Sequence, residues 1–157
     1  DAANYPALCN LGMIYQRQQL LEDAVRIFLR AVEIHPYGAS PWISLGEISL
    51  SLNNLADAKI FFDHALSFQS GSTDVLLQLC YIEFRLNAID DFVNHCDQLL
   101  KELGLNRNRT LNNMEDIASL LLDIDVALRN RPESKVLVLN IRSLLRVNCG
   151  REQIPGA

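Results

Sequence analysis

The stretch WISLGEISLSLNNLADAKIFFDHAL, residues 42–66, decides the fold. Its large apolar and small residues follow a helical spacing on either side of a central Asn-Asn pair: Trp42, Leu45 and Gly46 before it, and Ala58, Phe62 and Ala65 after it. Residues three, four and seven positions apart lie on one face of a helix, and paired asparagines are typical of a turn. The stretch therefore predicts two short helices whose small residues let their backbones approach closely.

The same pattern occurs more than once along the 157-residue chain. Six sets of residues recur at intervals of 34: Leu11, Leu45 and Leu79; Ile14, Ile48 and Ile82; Gly12 and Gly46; Ala24 and Ala58; Phe28 and Phe62; and Ala31 and Ala65. Three glycines, Gly38, Gly71 and Gly104, recur every 33 residues where the chain would reverse. A fixed period of this length is the signature of a repeat protein.

These residues resemble the tetratricopeptide repeat, which has a 34-residue unit with a W…LG…Y…A…F…A…P pattern. The first copy matches at Leu11, Gly12, Tyr15, Ala24, Phe28, Ala31 and Pro36, with Leu8 in place of the tryptophan. The second matches at Trp42, Leu45, Gly46, Ala58, Phe62 and Ala65, with Ser49 and Ser70 in place of the tyrosine and proline. The resemblance implies an all-α fold, a right-handed solenoid of helical hairpins.

We predict a single domain over residues 1–157 with four parts. Repeat 1 spans 5–38, repeat 2 spans 39–72, and a degenerate repeat 3 spans 73–105, in which Cys80, Phe92 and Cys96 replace a glycine, an alanine and a phenylalanine. A helical pair over 110–148 would cap the solenoid or dock elsewhere. Because the chain starts inside the periodic pattern without an initiator methionine, we expect it to be a fragment of a longer protein.

Composition excludes several classes of function. The net charge of −5 argues against nucleic acid, and the basic C-terminal third has no aromatic residue for base stacking. No apolar run is long enough to span a bilayer. No signal peptide is evident, which weakly favours the cytoplasm. The four cysteines form neither a zinc motif nor a disulfide framework. We expect Cys80 and Cys96 to face one seam as small core residues.

Nothing in the sequence indicates catalysis. The three histidines, His35, His64 and His95, are scattered, and His95 diverges by about 100° from its helical neighbour Cys96. No glycine-rich phosphate loop is present. We therefore predict no catalytic residue, no cofactor and no metal, and we do not expect an enzyme.

The candidate functional surface is the face of each first helix opposite its Leu/Gly seam. In proteins with this repeat the first helices line a concave groove that holds a peptide, so the resemblance implies a groove lined by Asn10, Met13, Ile43, Ser44, Glu47, Leu77, Gln78, Tyr81 and Phe84. Asn10, Ser44 and Gln78 form a polar column at 34-residue spacing that can hydrogen-bond a peptide backbone. The surrounding stripe is apolar. The groove lacks the Lys/Arg/Asn cluster with which some family members hold a C-terminal carboxylate, and we predict no such clamp.

Two functions remain open. The first is a non-catalytic scaffold that binds a peptide or partner protein in this groove. The second is a self-association or intramolecular regulatory module of a larger protein, in which the apolar stripe is buried by the C-terminal helical pair or by a second copy of the chain. A homo-oligomer is compatible with the second.

Overall fold

The computed structural model describes residues 4–104. Over this range the chain forms six α-helices and no strand: α1 Tyr5–Arg17, α2 Leu21–Ile34, α3 Ala39–Ser51, α4 Leu55–Phe68, α5 Thr73–Arg85 and α6 Ile89–Glu102. The predicted all-α fold of helical hairpins is confirmed. The predicted helical pair at 110–148 lies outside the described residues. None of the six helices is long and apolar enough to cross a membrane.

The described chain divides into two compact units, the first ending at Val75 and the second beginning at Leu76. In the first unit, α1 packs on α2 and α3 packs on α4 as two hairpins, and α3 also contacts α1 and α2. Ala24 and Phe28 of α2 form one buried cluster with Leu45 and Ile48 of α3. This cluster joins the two hairpins, since it is built from one helix of each.

The two helical glycines allow the helices of each hairpin to approach closely. A Cβ added to Gly12 would lie 2.6 Å from the ring of Phe28, and one added to Gly46 would lie 2.9 Å from the ring of Phe62. Ordinary contacts between carbon atoms are about 3.5–4.0 Å long. Each phenylalanine therefore occupies the space that a larger residue on the facing helix would need, which explains why Gly and Phe recur together in both repeats.

The turns inside the hairpins use the same backbone conformation in each repeat. Gln19, Asn53 and Asn87, each 34 residues from the next, have φ of 62°, 58° and 58°. Asparagine adopts positive φ more readily than other residues except glycine. In the following position Asn54 accepts a hydrogen bond from the backbone N–H of Asp57 and caps α4.

The face of α1 that carries Leu11 and Ile14 is more exposed than the sequence prediction implied, since that prediction placed Leu11 in the Leu/Gly seam. Leu11 is 37% exposed and Ile14 is 51% exposed, whereas their counterparts Leu45 and Ile48 are 1% and 2% exposed. Leu45 and Ile48 are covered because α2 packs on α3. Since α1 is the first helix of the described chain, no helix described here occupies the corresponding place above it.

Tyr5, the first residue of α1, packs against the segment that follows α2. The ring of Tyr5 packs edge-on against His35, with 4.9 Å between ring centroids, and Gly38 lies directly against its hydroxyl. Burial, reinforced by a hydrogen bond with the Cys9 thiol, raises the pKa of Tyr5 from 10.0 to about 12. Cys9 itself is buried, so it is part of the packing of α1 rather than of an open surface.

The second unit contains α6 and the part of α5 from Leu76 onward, which pack as a hairpin. Its seam holds the buried free thiols of Cys80 and Cys96, whose Sγ atoms lie 3.4 Å apart. The prediction that both face one seam as small core residues is confirmed. The hydrogen bond between the two thiols, together with burial, raises the pKa of the Cys80 thiol well above its usual value. Phe92 is fully buried, with its ring centroid 5.6 Å from that of Phe84.

A buried ionisable pair in the same unit was not predicted. Glu83 is fully buried, and His95 Nδ1 lies 2.9 Å from each of its carboxylate oxygens. A buried carboxylate requires such hydrogen bonds. The sequence offered no signal for this contact, because the two residues lie 12 positions apart on different helices.

Candidate partner-binding groove

The first unit contains a groove of about 540 Å³ along α1 and α3. Its lining combines apolar, amide, hydroxyl and charged side chains: Met13, Gln16, Arg17, Ser40, Ile43, Ser44, Glu47 and Gln69. Binding sites commonly enclose about 300–1,000 Å³ and pair an apolar surface with a few polar groups. Size and chemistry therefore make this groove a candidate site for a partner.

A polar bridge crosses the groove from one repeat to the next. The Gln16 amide of α1 donates a 3.2 Å hydrogen bond to Glu47 Oε2 of α3, and the bond is exposed to solvent. An exposed bond of this kind contributes little net stability, since water competes for both partners. Both side chains can give up this bond and bind a ligand instead, because the Gln16 amide can donate and accept hydrogen bonds and the Glu47 carboxylate can accept them.

The apolar part of the groove is accessible. Met13 is 38% exposed and Ile43 is half-buried. Ser44 is only 7% exposed, so it lies at the floor of the groove. Methionine adapts its shape to the group that it contacts, which suits a surface that meets an external side chain.

The structure brings together only part of the predicted site. Met13, Ile43, Ser44 and Glu47 line one groove, as expected for neighbouring first helices. Asn10 is exposed on α1 but is not part of this lining. The other predicted residues belong to α5 in the second unit.

Those four residues differ in exposure. Leu77 is 2% exposed and Phe84 is 8% exposed, while Tyr81 is half-buried. Gln78 has a buried Oε1 with no hydrogen-bond partner in the described structure. Their contribution to a partner-binding surface remains a prediction.

Gln69 was missed by the sequence analysis. It follows α4 as its C-terminal cap residue, whereas the prediction considered only the first helix of each repeat. Helical periodicity assigns faces within helices and gives no information about a side chain in a connecting segment. No signal in the sequence would have placed Gln69 beside α1 and α3.

The paired hairpins and the groove along their first helices define a helical-hairpin repeat protein. Residues 5–37 and 39–71 each match the family model for the tetratricopeptide repeat. The chain therefore carries two tetratricopeptide repeats, one in each of these ranges. The resemblance seen in the sequence is confirmed. No curated protein sequence matches the chain.

Solved structures share the fold at low sequence identity. One is YrrB, described as a tetratricopeptide repeat protein with an unusual peptide-binding site (TM-score 0.63, 16% identity, covering 96% of this chain and 92% of that chain). Another is the first tetratricopeptide domain of Spaghetti (RPAP3), bound to the HSP90 peptide SRMEEVD (TM-score 0.59, 18% identity, 82% and 98%). MamA is a third (TM-score 0.60, 14% identity, 97% and 82%). At these identities the likeness concerns the fold.

Proposed function

We propose that this protein is a non-catalytic scaffold that binds a peptide segment of a partner protein in the groove along α1 and α3. The observation that carries the proposal is the groove itself, in which accessible Met13 and Ile43 lie beside the exposed Gln16–Glu47 hydrogen bond. An extended peptide needs apolar contacts for its side chains and hydrogen bonds for its backbone. The groove provides both.

Two of the structural relatives support this function. YrrB is described as having a peptide-binding site, and the Spaghetti domain is bound to a peptide that ends in an aspartate. A terminal carboxylate is held by a cluster of basic groups, and the groove along α1 and α3 does not have such a cluster. Arg17 is its one basic residue and is accompanied by Glu47. We therefore infer a ligand that is not held by a carboxylate clamp, and we expect SRMEEVD to bind weakly or not at all.

Selection of peptides on the purified chain would test the proposal. Random peptides displayed on phage would be selected, and the affinity of synthetic copies would be measured by fluorescence anisotropy against Met13→Glu and Ile60→Glu. Both replace an exposed apolar residue, 38% and 53% accessible, but Ile60 lies on α4 outside the groove. We expect at least tenfold weaker binding, about 1.4 kcal/mol, for Met13→Glu alone. Equal losses in both variants, or none in either, would contradict the groove assignment.

The second candidate function is self-association, and the exposed face of α1 favours it. Leu11 and Ile14 occupy positions whose counterparts in α3 are covered by a helix. A second copy of the chain could cover them in the same way. Analytical ultracentrifugation of the purified chain and of the Leu11→Gln/Ile14→Gln double variant would test this. A concentration-dependent dimer abolished by the substitutions supports self-association, and a monomer at every concentration excludes it.

A further inference from the structure

A second cavity of about 660 Å³ lies at the opposite ends of these hairpins, where α1 turns into α2 and α3 ends. It is lined by Gln19, Leu20, Leu21, Glu22, Asp23, Val25, Ile48 and Leu52. None of these residues lines the groove along α1 and α3. Its volume is within the usual range for a binding site, about 300–1,000 Å³, and five of its eight lining residues are apolar.

The mouth of this cavity carries two leucines that are open to solvent. Leu20 is 46% exposed and Leu52 is 63% exposed, whereas Ile48 at the base is 2% exposed. Leu20 occupies the position that caps the N-terminus of α2, and it provides no side-chain cap. Leucine is among the least favourable residues at this position, so local helix stability does not explain its presence.

The second repeat shows that the fold does not require an apolar lining here. The residue 34 positions after Leu20 is Asn54, which caps α4 from nearly the same backbone conformation (φ −87°, ψ 81° against φ −86°, ψ 65°). The residue 34 positions after Val25 is Lys59. The same hairpin is thus built with polar residues at both places. At this position the first repeat lacks the side-chain cap of the second repeat and has an apolar surface instead.

The charge of the cavity indicates what it binds. Its two charged lining residues, Glu22 and Asp23, are both acidic, and the counterpart of Glu22 in the second repeat is the uncharged Ala56. Asp23 forms an ion pair with Arg26, which is not part of the lining. The whole chain is also acidic, with a net charge of −5. An apolar base beside acidic groups is complementary to an apolar side chain flanked by cations.

We infer that this cavity, the turn-edge cavity, docks a segment of a partner protein that inserts a leucine- or phenylalanine-sized side chain and carries lysine or arginine beside it. The inserted side chain contacts Leu20, Val25 and Leu52 and displaces water from them. The flanking cation lies near Glu22. This surface is separate from the groove, so one molecule of the scaffold can hold two segments at once.

The test uses two fluorescein-labelled synthetic peptides, each with a central leucine, one flanked by lysines and the other by glutamates. Binding to the full chain is measured by fluorescence anisotropy. We expect the lysine peptide to bind saturably and at least tenfold more tightly than the glutamate peptide, with an affinity that falls as salt is raised, because salt screens exposed charges.

Variants then locate the binding. Leu20→Asn restores the residue of the second repeat, so the chain should unfold at an unchanged or higher urea concentration while its affinity for the lysine peptide falls at least tenfold. Glu22→Ala should reduce the affinity severalfold and flatten its dependence on salt. Met13→Gln, in the groove, should leave the affinity unchanged.

Three results would overturn the inference. They are a failure of the lysine peptide to bind saturably, equal binding of both peptides, and undiminished binding of the lysine peptide to Leu20→Asn. Loss of binding in Met13→Gln without loss in Leu20→Asn would show that the peptide occupies the groove, which also contradicts the inference. Because the two sites have separate variants, failure of the turn-edge cavity leaves the test of the groove intact.

Discussion

Replacing Gly46 by alanine tests whether the close approach of α3 and α4 sets the shape of the second hairpin. The added methyl group would lie 2.9 Å from two ring atoms of Phe62 and 3.0 Å from a third. The ring is 1% exposed, so any shift that relieves the contact would disturb the close-packed core around it. Forcing an extra methyl group into a packed core costs about 1–3 kcal/mol, while alanine is favoured over glycine inside a helix by about 1 kcal/mol.

We therefore expect Gly46→Ala to lower the free energy of unfolding by about 1 kcal/mol, the overpacking cost less the gain in helix propensity. In a Phe62→Leu background the ring is absent and only the propensity remains, so the same substitution should raise stability by up to about 1 kcal/mol. The two substitutions should thus be coupled by about 2 kcal/mol, well above the limit of about 0.5 kcal/mol for independent sites.

Urea unfolding followed by circular dichroism, on the parent chain, both single variants and the double variant, measures this coupling. Arg30→Ala and Arg30→Gly, at an exposed position within α2, give the helix propensity difference in this protein without a packing effect. If the effects of Gly46→Ala and Phe62→Leu simply add, the contact between the methyl group and the ring does not limit the hairpin, and the explanation of the Gly/Phe pairing is wrong.

Three further predictions concern the turns and the first helix. Gln19→Asn should raise the free energy of unfolding by about 0.5–1 kcal/mol, because asparagine tolerates the positive φ at this position better than glutamine; a destabilised variant in urea would contradict this. Asn54→Ala should lower it by about 1 kcal/mol through loss of the cap to the Asp57 N–H, and Asn54→Ser should restore most of the loss. Tyr5 has a pKa of about 12 in the folded chain and 10.0 in the unfolded chain, so the unfolded chain loses this proton first as the pH rises. The free energy of unfolding should therefore fall between pH 10 and pH 12. In Tyr5→Phe this part of the fall, and the late rise in phenolate absorbance, should both be absent.

Much of the fold could be predicted from the sequence because the residues that pack each hairpin recur in successive repeats. The 34-residue spacing of Leu, Gly, Ala and Phe predicted the helical faces, and the positive φ of Asn53 explains the turn that the paired asparagines predicted. Periodicity alone did not show which copies of an apolar position are covered. Leu11 and Leu45 occupy the same position of their repeats, yet Leu11 is 37% exposed and Leu45 is 1% exposed. Among the helices of residues 4–104, α2 packs over Leu45 and none packs in the same way over Leu11.

The site was predictable to a smaller extent. Faces of α1 and α3 could be assigned at 100° per residue, and this brought Met13, Ile43 and Glu47 to one groove. The burial of Leu77 and Phe84 depends on tertiary neighbours that a helical wheel does not include. The position of Gln69 and the buried contact of Glu83 with His95 also depend on how separate elements pack together. Such contacts produce no periodic pattern in the sequence.

The chemical reactivity of the two thiols in the seam of α5 and α6 can be used to measure how often this hairpin opens. Cys80 and Cys96 are 1% and 0% exposed, and the pKa of Cys80 is raised, so neither sulfur is a competent nucleophile while the seam is closed. Alkylation must wait for the helices to separate, and its rate then measures how often they do so. A ligand that tightens the hairpin would slow the labelling of both sulfurs together, and mass spectrometry would detect binding without any label on the partner.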